Sequence, residues 1–409
     1  MDDVGLVENT GLIENECLIE NTGLTGNTGL IESTGFIENT GLIGNKGFIE
    51  NTGLTENIIS ESVPVNRYLW VDLIRIKAIF AAVAIHVDNF SSSWNQIPWM
   101  DWWAANVYNA IIRFAVPILF VLSGYLLLDK QEDDLAFFSK RLRKVVIPLI
   151  AWSMIYMIFS NKYDVFSIFT EDFVQRFLAN RVFYHLHFLY SIIGLYIITP
   201  VLRRVLAHVT MHDIYFFLAL WFLFTPFNQL IQFFGYDIGI PLEIATGNLG
   251  LYIAGHAIKN TRITSKIIFL SFMVVTGSIM LMSFGTYFMS LSIGEYDNQF
   301  MSMNITQTMY AICLFILLRE AAERMSLVTP SIMCKIINAV AGASLGIYLI
   351  HPMLLHYYVH YRLYDVFLLS PSYLGLALFI PMVTALLFIA SLIIVTIMKK
   401  IPLVRIIVP

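Results

Sequence analysis

Residues 75–86 read RIKAIFAAVAIH, a run of small and aliphatic residues with Arg75 at one end and His86 at the other. The run sits inside a longer apolar stretch, 69–90, of the length an α-helix needs to cross the roughly 30 Å hydrocarbon of a bilayer. An ionisable side chain within such a helix costs several kcal/mol unless it is paired or hydrated, so it is a functional candidate by default. The two residues are eleven apart. That is about three helical turns, so both side chains point the same way, about 16 Å apart along the axis. Taken singly, Arg75 snorkels to lipid phosphates and His86 bonds to a neighbouring helix. Together on one face they read as a polar track through an apolar helix.

The rest of the chain agrees with a membrane setting. Of 409 residues, 57% are hydrophobic and only 13% are charged, about half the charge of an ordinary soluble domain. The net charge of −4 hides an asymmetry, because residues 1–60 hold ten carboxylates against one lysine, Lys46. From Gly5 these residues repeat in nine hexads: GLVENT, GLIENE, CLIENT, GLTGNT, GLIEST, GFIENT, GLIGNK, GFIENT, GLTENI. A left-handed β-helix also uses hexads, but glycine in nearly every repeat suits it poorly. A signal peptide would need a basic start and a long apolar core. The composition instead predicts an acidic, disordered low-complexity tail that does no chemistry. Residues 61–409 form the membrane domain. Cys17, Cys313 and Cys334 lie far apart and fit no metal-ligand spacing, so no metal is expected.

Apolar segments follow near 69–90, 105–128, 145–160, 186–202, 214–234, 242–258, 266–287, 303–319, 336–359 and 373–398, the third and fourth being short. Their apolar residues run continuously rather than alternating, which predicts an all-α bundle of about ten transmembrane helices. Ten spans place both termini on one side. Seventeen Lys and Arg fall in the loops on that side against four on the other, which places both termini in the cytoplasm. The Trp-, Tyr- and Phe-rich loops at 91–104 and 161–185 then face outward, as interfacial anchors or as a sugar-stacking platform.

Two further stretches carry charge where lipid should exclude it. RFAVPILFVLSGYLL (113–127) opens on Arg113, which cannot shed its charge and needs an anionic or polar partner inside the bundle. Pro117 within it is expected to bend the helix. KRLRKVVIP (140–148) supplies Lys140, Arg141, Arg143 and Lys144 where the third span begins. That cluster fits lipid phosphate contact or the phosphates of a cytosolic cofactor.

Arg75 and His86 with ten residues between, RFAVPILFVLSGYLL, KRLRKVVIP, HLHFLYSIIGLYIITP (185–200) and SLGIYLIHP (344–352) together resemble the membrane acyltransferase-3 family, from about Tyr68 to the last span. The resemblance implies a multi-pass enzyme of the bacterial plasma (inner) membrane. Its activity would be transfer of an acyl group, usually acetyl, from acetyl-CoA or another acyl-CoA to a hydroxyl of a surface or lipid-linked glycan. The chain looks most like the short members without an extracytoplasmic esterase-like domain. The fourth-span motif departs from the family's pattern, which leaves the role to either His185 or His187.

The chemistry assigns roles. A sugar hydroxyl needs a base, and histidine's ordinary pKa suits that task. His86 is therefore expected as general base. Arg75 and Arg113 orient the donor or stabilise the thioester oxyanion, and Lys140, Arg141, Arg143 and Lys144 hold the nucleotide phosphates of coenzyme A. Direct transfer and an acyl-enzyme on Ser123 or His86 both remain open. His351, His185, His187 and Glu243 are candidates for the cavity or for acceptor recognition. His208, His212 and His256 are expected at solvated ends, and His356 and His360 in structural roles. The expected partners are a glycan or lipid-linked saccharide acceptor and membrane lipids, with no nucleic acid. The rival reading is a transporter or flippase for a glycan or lipid-linked sugar, which should show two related halves with matching broken helices. Here the polar motifs crowd into the first four spans and the ninth. A sensory or scaffold module would leave Arg75, Arg113 and His86 without a task.

Overall fold

A computed structural model describes residues 69–88, 90–236, 247–326, 331–363 and 371–409. The repeat tail at 1–60 and Glu243 lie outside the described residues. The chain divides into two compact units, one of residues 1–73 with 320–339 and one of 74–319 with 340–409. The packing described below belongs to the second unit.

Among the described residues every regular element is a helix. In chain order the longer ones are α1 (Leu69–Val87), α2 (Trp99–Ile112), α3 (Ala115–Leu127), α4 (Asp134–Ser160), α5 (Glu171–Leu178), α6 (His187–Leu206), α7 (Met211–Phe224), α8 (Pro226–Phe233) and α9 (Leu249–Lys259). After them come α10 (Ser265–Ile293), α11 (Gln299–Ser302), α12 (Asn304–Ser326), α13 (Ser331–His360), α14 (Pro371–Leu374) and α15 (Leu376–Lys400). A short 3-10 turn, Tyr184–Leu186, leads into α6. Among the described residues eight helical stretches are long and apolar enough to cross a membrane, where ten were expected. The first expected span falls short because α1 packs Asp72, Arg75 and Lys77 into nineteen residues. The sixth falls short because α9 has only eleven residues, and the chain before residue 247 lies outside the described part. Along the crossing helices large apolar side chains face outward, among them Phe269, Leu281 and Phe288 of α10 and Ile389 and Ile393 of α15. Such a surface needs lipid to cover it, and this is a membrane protein.

Local chemistry explains the departures in span boundaries. The third segment is not short. Asp133 caps its N-terminus by accepting the Ala136 N–H at 3.0 Å, so α4 starts well before the apolar run and carries the basic cluster on helix. The second span is interrupted but stays one crossing, Trp99–Leu127, because Arg113 and Phe114 keep helical backbone angles. Pro117 has no N–H to offer the carbonyl of Arg113, and α2 ends at Ile112 while α3 begins at Ala115. Arg113 thus sits at the interruption. Pro226 has the same effect on its predecessor, because a residue before proline is pushed out of the α region. Thr225 takes φ −116° and ψ −77°, and α7 stops there.

The tightest packing is between α3 and α9. A Cβ at Gly124 would stand 1.7 Å from the Tyr252 carbonyl oxygen, and one at Gly255 would stand 2.0 Å from that of Val121. Only glycine lets the two backbones touch. Buried tyrosines then tie helices together through helix carbonyls. Tyr156 of α4 donates to Leu349 O at 2.7 Å, and Tyr310 of α12 donates to Ile111 O at 2.6 Å.

Candidate active site

Three histidines from distant stretches of sequence meet in this unit. His86, one residue before the end of α1, stacks on His351 of α13 with ring centroids 5.3 Å apart and planes at 26°. His185, in the turn before α6, meets His351 edge-on at 5.9 Å. Tyrosines box them in. Tyr184 lies 4.7 Å from the His86 ring, Tyr156 lies 4.8 Å from His185, and Tyr348 lies 5.8 Å from His351. Each position has a local cause. Tyr348 and His351 lie three apart and so share a face of α13. The Tyr348 hydroxyl donates to the His185 carbonyl, which pins the turn before α6 against that face.

Accessibility ranks the three. His351 is fully buried and His185 is 1% exposed, whereas His86 is half-buried. The Tyr184 ring against His86 is itself half-exposed. His86 is therefore the most accessible member of the cluster. His351 Nδ1 lies 3.2 Å from the Ile347 carbonyl oxygen, while its Nε2 finds no protein partner among the described residues. The fourth-span ambiguity also has a geometric answer. His185 joins the cluster, and His187 is exposed with Nδ1 2.6 Å from the Tyr184 carbonyl.

Arg113 stands beside this cluster, and its charge acts on His86. It also acts on Asp88, two residues past His86 and 4% exposed. Asp88 is the anionic counterpart that Arg113 requires, and the sequence reading did not single it out. No carboxylate comes within ion-pair distance of Arg113 among the described residues, and its Nε is buried without a hydrogen-bond partner. Polar groups of α2 continue the site. Asn109 donates to Ser91 Oγ at 2.8 Å and Asn106 donates to Ser283 O at 2.9 Å, while the amide oxygens of both have no partner. Asn106, Asn109 and Arg113 follow helical spacing, so the end of α2 presents one polar face. Tyr296, in the loop after α10, borders the same group. Burial pushes its hydroxyl pKa up, against the pull of Ser91 and Arg113.

Arg75 belongs to the other end of the unit, where the cations gather. Its charge and that of Arg141 both act on the Tyr196 hydroxyl of α6. Around them Glu132 accepts a hydrogen bond from Arg203 at 3.1 Å, with Lys130 at 3.4 Å and Arg141 at 3.9 Å. Arg203 also lies over the ring of the buried Phe137, 4.6 Å from its centroid. Burial by itself would raise the Glu132 carboxyl, but Arg203, Lys130 and Arg141 outweigh it and hold it below its ordinary 4.5. Arg203, counted in the sequence only toward membrane orientation, is thus central to this group. The four-residue basic cluster of α4 divides. Arg141 turns to Glu132, Lys140 is exposed, and Arg143 and Lys144 line a separate cleft with Lys399 and Arg405.

The remaining histidines lie apart from the cluster. His256 is not at a solvated end: it is 6% exposed, and its Nδ1 lies 2.7 Å from Asp129 Oδ1. His208 is exposed against the Arg204 carbonyl. His356 and His360 stack on each other at 5.6 Å along α13. An apolar cleft of 370 Å³ between α7 and α9, lined by residues such as Trp221, Ala254 and Ile258, holds none of the histidines or arginines and is not the reactive site.

The described chain is thus a bundle of membrane-length helices with three clustered histidines near a half-buried arginine. The family model described as an acyltransferase domain matches residues 68–399, nearly all of the described chain. The chain belongs to the acyltransferase-3 family, and that membership supports an acyltransferase function. Neither the curated proteins nor the solved structures contain a match to it.

Proposed function

We propose that this protein transfers an acyl group, most simply acetyl, from acyl-CoA to a hydroxyl of a cell-surface or lipid-linked glycan in the plasma membrane of a bacterium. The supporting observation is the meeting of His86, His185 and His351 beside Arg113, with His86 the accessible member. The excess of Lys and Arg puts the Arg75 end, and both termini, in the cytosol. The donor is made there. α1 and the stretch ending in α9 would complete ten crossings.

In this reading His86 takes the proton of the acceptor hydroxyl as its oxygen attacks the thioester carbonyl. The oxygen–carbon bond forms and the carbon–sulfur bond breaks. The imidazolium then returns the proton to the departing thiolate, so the reaction is neutral overall. His351 holds the His86 ring by stacking, and His185 backs His351 edge-on. Arg113 faces the charge that develops on the carbonyl oxygen. Arg75 lies about 16 Å along α1 from His86, too far to touch the same atoms, so it orients the remoter part of the donor. Lys140 and Arg141 at that end meet the donor's phosphates. Direct transfer requires no covalent intermediate. Ser123 donates to the Leu119 carbonyl at 2.7 Å within its own helix, which does not equip it as a nucleophile.

The test uses membranes containing the full chain, labelled acetyl-CoA and a glycan extract. Label should move to an alkali-labile ester and should fail to do so with His86→Ala protein that inserts normally. Label transfer at the wild-type rate by that variant would refute the assignment.

A further inference from the structure

Arg143 and Lys144 leave the Glu132 group and line a cleft of 420 Å³ with Lys399 of α15 and Arg405 of the segment that follows it. None of the lining side chains is acidic. Lys399 gives one hydrogen to the Gly342 carbonyl at 2.6 Å, which fixes its position and leaves two N–H groups free of that bond. The charges of Lys144 and Lys399 act on each other repulsively. Four cations converge there against one carboxyl, that of the chain's last residue, Pro409, which also lines the cleft. Positive charge is therefore in excess and favours an anion among them.

The segment 401–409 is built into this cleft. Trp152 of α4 donates to the Ile407 carbonyl at 3.0 Å, Val408 is fully buried, and a 3-10 turn, Val404–Ile406, presents Arg405. Outside, the same segment exposes Ile401, Leu403 and Ile406, with Leu403 81% exposed. The cleft therefore has cations within and an aliphatic rim without. It lies between the first half of α4 and the end of α15, two helices that qualify as membrane spans. No aromatic side chain lines it to stack on a nucleotide base.

We propose that this cleft holds the phosphate headgroup of an anionic phospholipid, whose acyl chains lie against Leu403 and its apolar neighbours. A phosphate ester could also reach it as free phosphate or as coenzyme A, but neither uses the aliphatic rim. The site does not depend on the acyl-transfer reading. It reassigns Arg143 and Lys144 to lipid and leaves Lys140 and Arg141 for the donor.

The experiment is native mass spectrometry of the full chain released from nanodiscs of equal phosphatidylglycerol and phosphatidylcholine. The wild type should retain phosphatidylglycerol in preference, and each cation removed should lower that preference about fivefold, as a surface cation is worth about 1 kcal/mol toward anionic lipid. Lys144→Gln/Arg405→Gln tests the cations. Leu403→Asn, at a position too exposed to threaten folding, should weaken retention without changing charge. Arg204→Gln/Lys266→Gln, at exposed cations outside the cleft, should change nothing. Equal retention of both lipids by the wild type would overturn the proposal, as would an unaltered preference in the first variant. Displacement of the lipid by added coenzyme A or by inorganic phosphate would also overturn it and mark the cleft as a soluble-phosphate site.

Discussion

The two ends of the second unit handle buried charge in opposite ways. Around Glu132 and Asp129 the cations are matched: Arg203, Lys130 and Arg141 meet one carboxylate, and His256 and Lys259 meet the other. Around His86 the matching is deliberately incomplete in effect. Arg113 has no carboxylate at ion-pair distance, and its Nε, His351 Nε2 and the amide oxygens of Asn106 and Asn109 have no protein partners among the described residues. A buried polar atom without a partner typically costs 1–3 kcal/mol, roughly, and persists where a ligand or ordered water completes it. Arg141 Nε and Arg203 Nη1 are likewise without partners among the described residues, so what sets the His86 end apart is a cation with no carboxylate beside it.

Replacing the histidines should break this contrast most visibly. His86→Ala should lower acyl transfer by about 10²–10⁴-fold, the range for loss of a general base, with a smaller change in melting temperature than a fully enclosed position would give, because the side chain is only half-buried. His351→Ala empties a fully enclosed position and should lower both activity and melting temperature. If His351→Ala keeps the melting temperature while His86→Ala loses it, the accessible and enclosed members have been assigned the wrong way round.

Arg113 and Asp88 sharpen the same contrast. Arg113→Gln should lower the melting temperature, since Asp88 loses a positive charge that acts on it from beyond ion-pair distance. Adding Asp88→Asn should restore most of the melting temperature while transfer stays low. Recovery of transfer together with stability would make Arg113 a purely structural cation.

Much of this site could be read from spacing, and the part that could not has a physical reason. Arg75, His86 and Arg113 stand out because lipid makes their presence costly at their positions in the chain. Asp88 does not, since a carboxylate at the outer end of an apolar run looks like an ordinary helix exit. It becomes significant only when Ser91, three residues on, meets Asn109 at the end of α2. Arg113's need for an anion was a usable pointer to it. His256 was misplaced for the converse reason. Its position beside Lys259 suggests solvent, but glycine contacts draw α9 against α3 and close Asp129 over it. Two expected spans do not stand out as crossings among the described residues, because α1 carries three charges and α9 has only eleven residues.

Those glycine contacts give the next test. A Cβ at Gly255 would lie 2.0 Å from a backbone oxygen and 2.6 Å from the Tyr125 nitrogen, and neither can rotate away. Gly255→Ala should destabilise the protein by about 1–3 kcal/mol or more, as overpacking does. Gly277→Ala in α10 meets nothing within 4 Å and should be neutral or slightly stabilising, by up to about 1 kcal/mol. Equal melting temperatures for the two variants would mean that α3 and α9 separate more readily than their contact implies.

The smallest effect belongs to the matched end and depends on pH. The Glu132 carboxyl is held below its ordinary 4.5 in the folded protein by Arg203, Lys130 and Arg141 acting against burial. A depressed folded value means that the ionised form is favoured by folding. Its contribution is therefore complete above the unfolded value near 4.5 and is lost as pH falls through the lower folded value. Glu132 and its partners are partly exposed, with side-chain exposures of 15% for Glu132 and 44% for Lys130, so solvent screens the pairs and the contribution is about 1 kcal/mol or less. Glu132→Gln should melt slightly below the wild type at neutral pH, and the gap should close as the pH drops beneath 4.5. It should also narrow with added salt at neutral pH, because screening weakens these partly exposed pairs. A gap that persists unchanged in acid would assign Glu132 a packing role and remove the charge matching on which the contrast between the two ends rests.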